Sequence, residues 1–183
     1  WWPLPTFGCT GQESRHHMSA ETAHAITDKR VMDIIHVQRL ANIWRMKGDR
    51  IVFTNGCFDI LHRGHVEYLQ EAAALGDRLI IGVNSDASVK HQNKGPERPL
   101  NDQYSRAKVL AALRFIDAVV VFDQDTPLDL IKTIGPDVLV KGGDWTEDKI
   151  VGSEHVRSLG GDVRSLKLVD GFSTTGLVAK IRG

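Results

Sequence analysis

The sequence predicts an α/β protein built on a doubly wound, parallel sheet of five strands, with an extra helix at its N-terminal end. Two observations carry this. The runs RLIIGV at residues 78–83 and AVVVF at residues 118–122 are apolar without alternation, the mark of strands covered on both faces. Stretches of helical spacing separate these runs, and strand–helix–strand succession implies parallel pairing through right-handed crossovers.

The elements follow in order. Within residues 28–47, Val31, Ile34, Ile35, Val37, Leu40, Ala41 and Trp44 recur at helical spacing, and Gly48 stops the helix. Residues 51–53 form a short apolar strand that ends in Thr54, Asn55 and Gly56. A helix over residues 64–75 is closed by Gly76, in the usual C-terminal role of glycine. After strand 78–83, the polar residues 84–100 hold Gly95, Pro96 and Pro99 and are expected to form a loop. Asn101 or Asp102 caps a helix that reaches Arg114. Strand 118–122 leads into a short helix near Pro127. A strand at 137–140, a helix at 146–159 and a last strand at 163–168 complete the sheet. A loop over residues 171–176 enters a final short helix. In such sheets ligands sit beyond the carboxyl ends of the strands, where the strand order reverses.

Composition narrows the class. The chain has 183 residues, 23 Lys and Arg against 23 Asp and Glu, and 42% hydrophobic residues. That length suits one α/β domain. A net charge of zero argues against a sequence-blind nucleic-acid binder, which needs a basic surplus. No apolar run approaches the roughly 20 residues that span a bilayer. Two cysteines, Cys9 and Cys57, make no disulfide scaffold and fit a reducing, cytoplasmic setting. Residues 1–17 hold two of the four Trp and two of the six Pro, with neither periodicity nor the pattern of a secretory signal. They are expected to be a foreign leader, with a native tail as the alternative. Residues 18–49 are then a helical extension and residues 50–183 the working domain.

The chemistry is expected in TNGCFDILHRGH, residues 54–65, where the first core strand gives way to a helix. His62 and His65 stand three apart and share a helix face. The helix N-terminus offers unpaired amides and a positive dipole end to an anion, and Gly56 and Gly64 let the backbone come close to a bulky ligand. Together they form a cradle for a polyphosphate. A capping histidine beside a packed one, or two imidazoles on zinc, are the alternatives.

GCFDILHRGH resembles the signature of the HxGH nucleotidyltransferases, and the likeness runs along most of residues 50–182. More narrowly, TNGCFDILHRGH, RPLNDQYSRAKVLAAL, VKGGDW and GFSTTGLVAKI are similar to the adenylyltransferases that act on D-glycero-β-D-manno-heptose 1-phosphate. The resemblance implies a Rossmann-like sheet and transfer of AMP from ATP to that sugar phosphate, with pyrophosphate released. The implied setting is lipopolysaccharide core synthesis in the cytoplasm of a Gram-negative bacterium. In that family the sugar-phosphate oxygen attacks the α-phosphorus directly, with no covalent enzyme intermediate. Mg²⁺ accompanies the triphosphate, a homodimer is implied, and no membrane or nucleic acid takes part. The family's best-known arrangement adds a sugar kinase, for which 183 residues leave no room, so a stand-alone transferase is expected. A cytidylyltransferase for a polyol phosphate such as glycerol 3-phosphate is the nearest alternative, and a nucleotide-binding regulatory module a more distant one.

Carried residue by residue, the resemblance makes His62, His65, Lys94 and Lys141 catalytic. Thr54, Asn55, Gly56, Cys57, Phe58, Gly64, Lys90 and Arg98 are expected to bind the nucleotide. Gly142, Gly143, Asp144, Ser173, Thr174 and Thr175 are expected to join them. The choice between Lys90 and Lys94 stays open. Arg106 either reaches phosphate or covers a helix face, Asp59 braces the turn, and Trp145 either meets the sugar or packs.

Overall fold

The computed structural model describes residues 20–92, 97–143, 145–167, 169 and 171–182, with the side chains of 20, 21, 23, 175, 179 and 182 left aside. In chain order the elements begin with α1 (Ala20–Arg30), β1 (Val31–Met32), α2 (Ile34–Met46), β2 (Ile51–Gly56) and α3 (Arg63–Ala73). β3 (Arg78–Asn84), α4 (Asp86–His91), α5 (Gln103–Ala111), β4 (Ala118–Phe122) and α6 (Leu128–Ile134) follow. β5 (Val138–Gly142), a 3₁₀ turn at Glu147–Lys149, α7 (Ser153–Ser158), β6 (Asp162–Leu166) and α8 (Thr174–Arg182) complete the described chain.

All pairings are parallel, in the order β1-β4-β3-β2-β5-β6. The doubly wound parallel class is borne out. Alternation along β2 shows the two layers: Ile51 and Phe53 pack with Val37, Ala41 and Trp44 of α2 and with Leu130 and Ile131 of α6. Val52 faces the other way, toward Tyr68 and Leu69 of α3 and Ala107 and Leu110 of α5. Strands that bury both faces need no polar side, which is why they read as unbroken apolar runs. Among the described residues, no helix is long and apolar enough to cross a membrane.

Four local expectations are corrected. The single helix over residues 28–47 is interrupted: Val31 and Met32 pair with Val119 and Val120 as a sixth, edge strand. Asp33 then caps α2, its carboxylate accepting the His36 N–H at 2.8 Å. The free edge of β4 outcompetes one helical turn there. The loop expected at 84–100 contains α4, capped by Ser85. The helix expected over 146–159 is broken because Gly152 adopts φ +89°, with Ile131 filling the space a Cβ would take. Strands β2 and β5 run on to Gly56 and Gly142, and those extensions carry site residues.

Candidate active site

From β2 the chain winds outward through β3 and β4, and then returns to the other side of β2 for β5 and β6. The strand order therefore reverses between β2 and β5, where a crevice opens at the carboxyl ends. A cavity of about 510 Å³ lies there, within the usual range for a small-molecule site. Asn55, Gly56, Cys57 and Phe58 line it from the end of β2, and Lys141 and Gly142 from the end of β5. His65 and Tyr68 reach it from α3, Val89 from α4 and Thr174 from α8, while Asp59 and Arg98 complete the wall.

The helix start is built by the histidines themselves. His62 is the N-cap of α3: its carbonyl oxygen accepts the His65 N–H at 2.9 Å and its Nδ1 also accepts it at 3.3 Å. The two imidazoles stack at 3.8 Å with an interplanar angle of 19°, and Phe58 meets His65 edge-on at 5.4 Å. Phe58 holds φ at 49°, a left-handed conformation that costs a side-chain-bearing residue about 1–2 kcal/mol. Gly64 is needed for contact, since a Cβ would stand 3.0 Å from Phe172 Cβ and 3.2 Å from His62 Nδ1. Burial, and then the neighbouring His62, lower the His65 imidazole to about 4. Burial also lowers His62. Both shifts favour the uncharged ring in the free protein, and His65 Nδ1 is buried without a partner at hydrogen-bond geometry.

Fixed charge enters from other elements. Lys141 Nζ donates to the backbone oxygen of Asn55 at 3.3 Å and to its Oδ1 at 3.4 Å, bridging the ends of β5 and β2. Arg98 pairs with Asp59 at 2.7 Å. Asp59 is buried and also accepts the N–H groups of Leu100 and Asn101 at 2.8 and 2.9 Å. Burial pushes its carboxyl up, but the N–H groups of Asn101 and Leu100 and the Arg98 guanidinium outweigh this and hold it below the ordinary carboxylate value. Asp59 thus clamps the segment before α5 against the cavity, the bracing expected of it. Arg106 is fully buried and donates to Cys57 O, Asn101 O and Asp86 Oδ1. It therefore neither covers an outer helix face nor opens toward a ligand.

Of the residues singled out in the sequence, Asn55, Gly56, Cys57, Phe58, His65, Arg98, Lys141, Gly142 and Thr174 come together around the cavity. His62 and Gly64 build the helix start at its side. Thr54 is buried beneath, hydrogen-bonded to the Tyr68 hydroxyl. Gly143 turns away to donate to Leu166 O at 2.8 Å, with the half-exposed Trp145 ring beside it. Ser173 caps α8 through Oγ, which accepts the Gly176 N–H at 3.0 Å. Lys90 is exposed on α4 and is not among the lining residues. Lys94, Asp144, residues 1–17 and the side chain of Thr175 lie outside the described residues.

Sequence reasoning missed Tyr68 and Val89. Tyr68 stands three residues after His65, on the same helix face, a signal that was available. Val89 carried none, because α4 was expected to be loop. Among the described residues, no three His, Cys, Asp or Glu side chains gather closely enough to hold a metal ion.

A family model described as cytidylyltransferase-like matches residues 53–176. The bifunctional protein HldE of Geotalea uraniireducens is 51% identical over 160 residues, covering 87% of this chain and 32% of that protein. The HldE protein of Campylobacter fetus is 55% identical over 150 residues, 82% of this chain and 31% of its own length. The chain thus spans about a third of the length of the curated relatives it matches. The crystal structure of a lipopolysaccharide core biosynthesis protein from Thermoplasma volcanium superimposes with a TM-score of 0.55 at 28% identity, over 67% of this chain and 98% of that one. A pantoate-beta-alanine ligase from Francisella tularensis, at 14% identity and a TM-score of 0.53 over 75% of this chain and 66% of that one, shares the fold. Sheet, helix start and likenesses together define a nucleotidyltransferase. The chain belongs to the cytidylyltransferase-like family.

Proposed function

We propose that this domain transfers AMP from ATP to D-glycero-β-D-manno-heptose 1-phosphate, giving ADP-heptose and pyrophosphate for lipopolysaccharide core synthesis in the cytoplasm. The observation that carries the reading is the meeting of the His62–His65 helix start with Lys141 where the strand order reverses between β2 and β5. The sugar-phosphate oxygen attacks the α-phosphorus, the bond to the bridging oxygen breaks, and pyrophosphate leaves with the electron pair. The protein holds two anions together and offers N–H donors and cations where charge develops. Lys141 and Arg98 supply charge, and the first turn of α3 supplies amides. Mg²⁺ on the triphosphate would neutralise further charge. Asp59, the carboxylate in the described wall, has both oxygens engaged by Arg98, Leu100 and Asn101, so the ion would be held through phosphate oxygens and water.

The choice of heptose 1-phosphate rests on VKGGDW and GFSTTGLVAKI and gains support from identities near 50% to the HldE proteins. A second reading, CMP transfer to a polyol phosphate, is favoured by the description of the matched family. Pyrophosphate release with ATP and with CTP, each offered heptose 1-phosphate and glycerol 3-phosphate, separates them. Turnover is expected with ATP and heptose 1-phosphate. Turnover with CTP but not ATP would replace this reading with the second. Tight ATP binding without release from any pair would point to a regulatory module.

A further inference from the structure

Of the buried residues on α3 (Gly64, Tyr68, Leu69 and Ala72), only Tyr68 carries a polar side chain. Its ring packs in the layer that holds Val52 of β2 and Val138 and Val140 of β5. Its hydroxyl oxygen lies 2.5 Å from Oγ1 of Thr54, a fully buried residue of β2. Burial raises the Tyr68 hydroxyl above its ordinary value, while the Thr54 hydroxyl and the Gly142 backbone N–H pull it down. Burial wins, so at neutral pH the group is a hydrogen-bonding hydroxyl and not a base. One phenol on α3 thus meets β2 one residue before Asn55 and β5 one residue after Lys141.

Apolar packing holds a helix against a sheet without being directional, so it leaves the roll of the helix about its own axis loosely set. The Arg63–Glu67 pair does not fix it, because both groups lie on α3 itself. A hydrogen bond does, since it requires distance and angle together. His65 and Tyr68 are three residues apart and share a helix face. A bond that holds Tyr68 therefore also sets the direction of His65. Helical side chains reach an outer radius of about 5–6 Å, so a roll of about 10° moves a tip by about 1 Å. A misplacement of about 1 Å can cost about 10²-fold in rate.

We propose that Tyr68 is a positioning residue: its hydroxyl, held by Thr54 and Gly142, sets the roll of α3 and aims His65 and the first helical turn at the cavity. This rests on the reading that the cavity performs nucleotidyl transfer. Tyr68 transfers no proton and acts through the helix that carries it.

The test compares wild type with Tyr68→Phe, which keeps the ring and removes the hydroxyl. A third protein carries 4-aminophenylalanine in place of Tyr68, which restores a hydrogen-bonding group. Without ligand, proton NMR reads the contact between the Phe58 and His65 rings, whose centroids are 5.4 Å apart. Tyr68→Phe should weaken that cross-peak and shift the His65 ring signals, and the amino variant should recover both. An unchanged cross-peak and unchanged His65 signals in folded Tyr68→Phe would overturn the proposal. This spectrum needs no turnover, so it stands apart from failure of the nucleotidyl-transfer reading. Kinetics give a second arm. Tyr68→Phe should lower kcat about tenfold or more, with KM for ATP changed by less than about threefold. Its Tm should fall by about 3–9 °C, because Thr54 is left with a buried hydroxyl that has lost its partner. A purely structural hydroxyl would lower Tm and leave kcat intact well below melting, and that outcome would also overturn the proposal. Should Tyr68→Phe fail to fold, Thr54→Val breaks the same bond from the strand side and is read by the same ligand-free spectrum.

Discussion

Lys141 Nζ stands 3.3 Å from the backbone oxygen of Asn55, tying the ends of two strands that are 86 residues apart in sequence. β2 and β5 are neighbours at the reversal of strand order, so this contact lies where the chain's two winding directions part. On the proposed transfer reaction an ammonium there would face the developing charge, while its contacts with Asn55 tie the two strand ends together.

Replacing Lys141 with Ala should therefore lower kcat by about 10²–10³-fold, the scale of losing one well-placed donor to developing charge. The fold should survive, because Lys141 is only part-buried. Single-turnover pyrophosphate release beside a thermal melt checks both halves. An unchanged kcat in a folded variant would remove Lys141 from the machinery.

His65→Ala should keep most ATP affinity and lose about 10²-fold or more in kcat. Titration adds an independent readout. The His65 value falls from 6.5 to about 4 on folding. Above pH 6.5 the ring is neutral in both states and contributes no pH dependence. As pH falls from 6.5 toward 4, the unfolded chain binds a proton that the folded one refuses, and stability drops. Denaturant melts at pH 7, 5.5 and 4.5 should show a shallower acid loss in His65→Ala than in wild type.

Asp59→Asn should destabilise the domain by about 2–4 kcal/mol, because one buried carboxylate serves a guanidinium and two backbone N–H groups. Arg98 would be left without its partner, and KM for the nucleotide should rise. The carboxyl sits below its ordinary value of 3.8 in the fold, so its stabilisation is present above that pH and is lost as pH falls through the folded value. Urea titrations of both proteins at pH 7 and pH 3 should differ more at pH 7.

Gly64→Ala sets two effects against each other. Alanine favours the helix by up to about 1 kcal/mol, while crowding against Phe172 and His62 at 3.0 and 3.2 Å costs about 1–3 kcal/mol. Crowding should win, with a net loss near 1 kcal/mol and a fall in kcat/KM of about tenfold or more as the His62 ring is displaced. A variant more stable than wild type with full kcat/KM would show that the neighbours yield freely.

Much of the site was legible because it is local. TNGCFDILHRGH holds cap, glycines and both histidines within twelve residues, and the fully buried strands announced themselves by unbroken apolar runs. Elements decided by competition were harder. Val31 and Met32 have helical neighbours, yet they pair with β4, and Gly152 breaks a helix only because Ile131 fills the space beside it. Tyr68 could have been found from its spacing to His65, whereas Arg106 stood open between phosphate and a helix face until its burial and its bonds to Cys57, Asn101 and Asp86 appeared.

By itself the sequence determined the α/β class, the central strands and the helix start that carries both histidines, since each depends on residues close in the chain. The tertiary structure alone decided where the order reverses, which brings Lys141 to Asn55, Arg98 to Asp59 and Tyr68 to Thr54. It also decided that the two imidazoles stack and that burial lowers both of them. Burial and proximity set the charge state of a ring, and both arise from segments that meet only when the sheet is assembled.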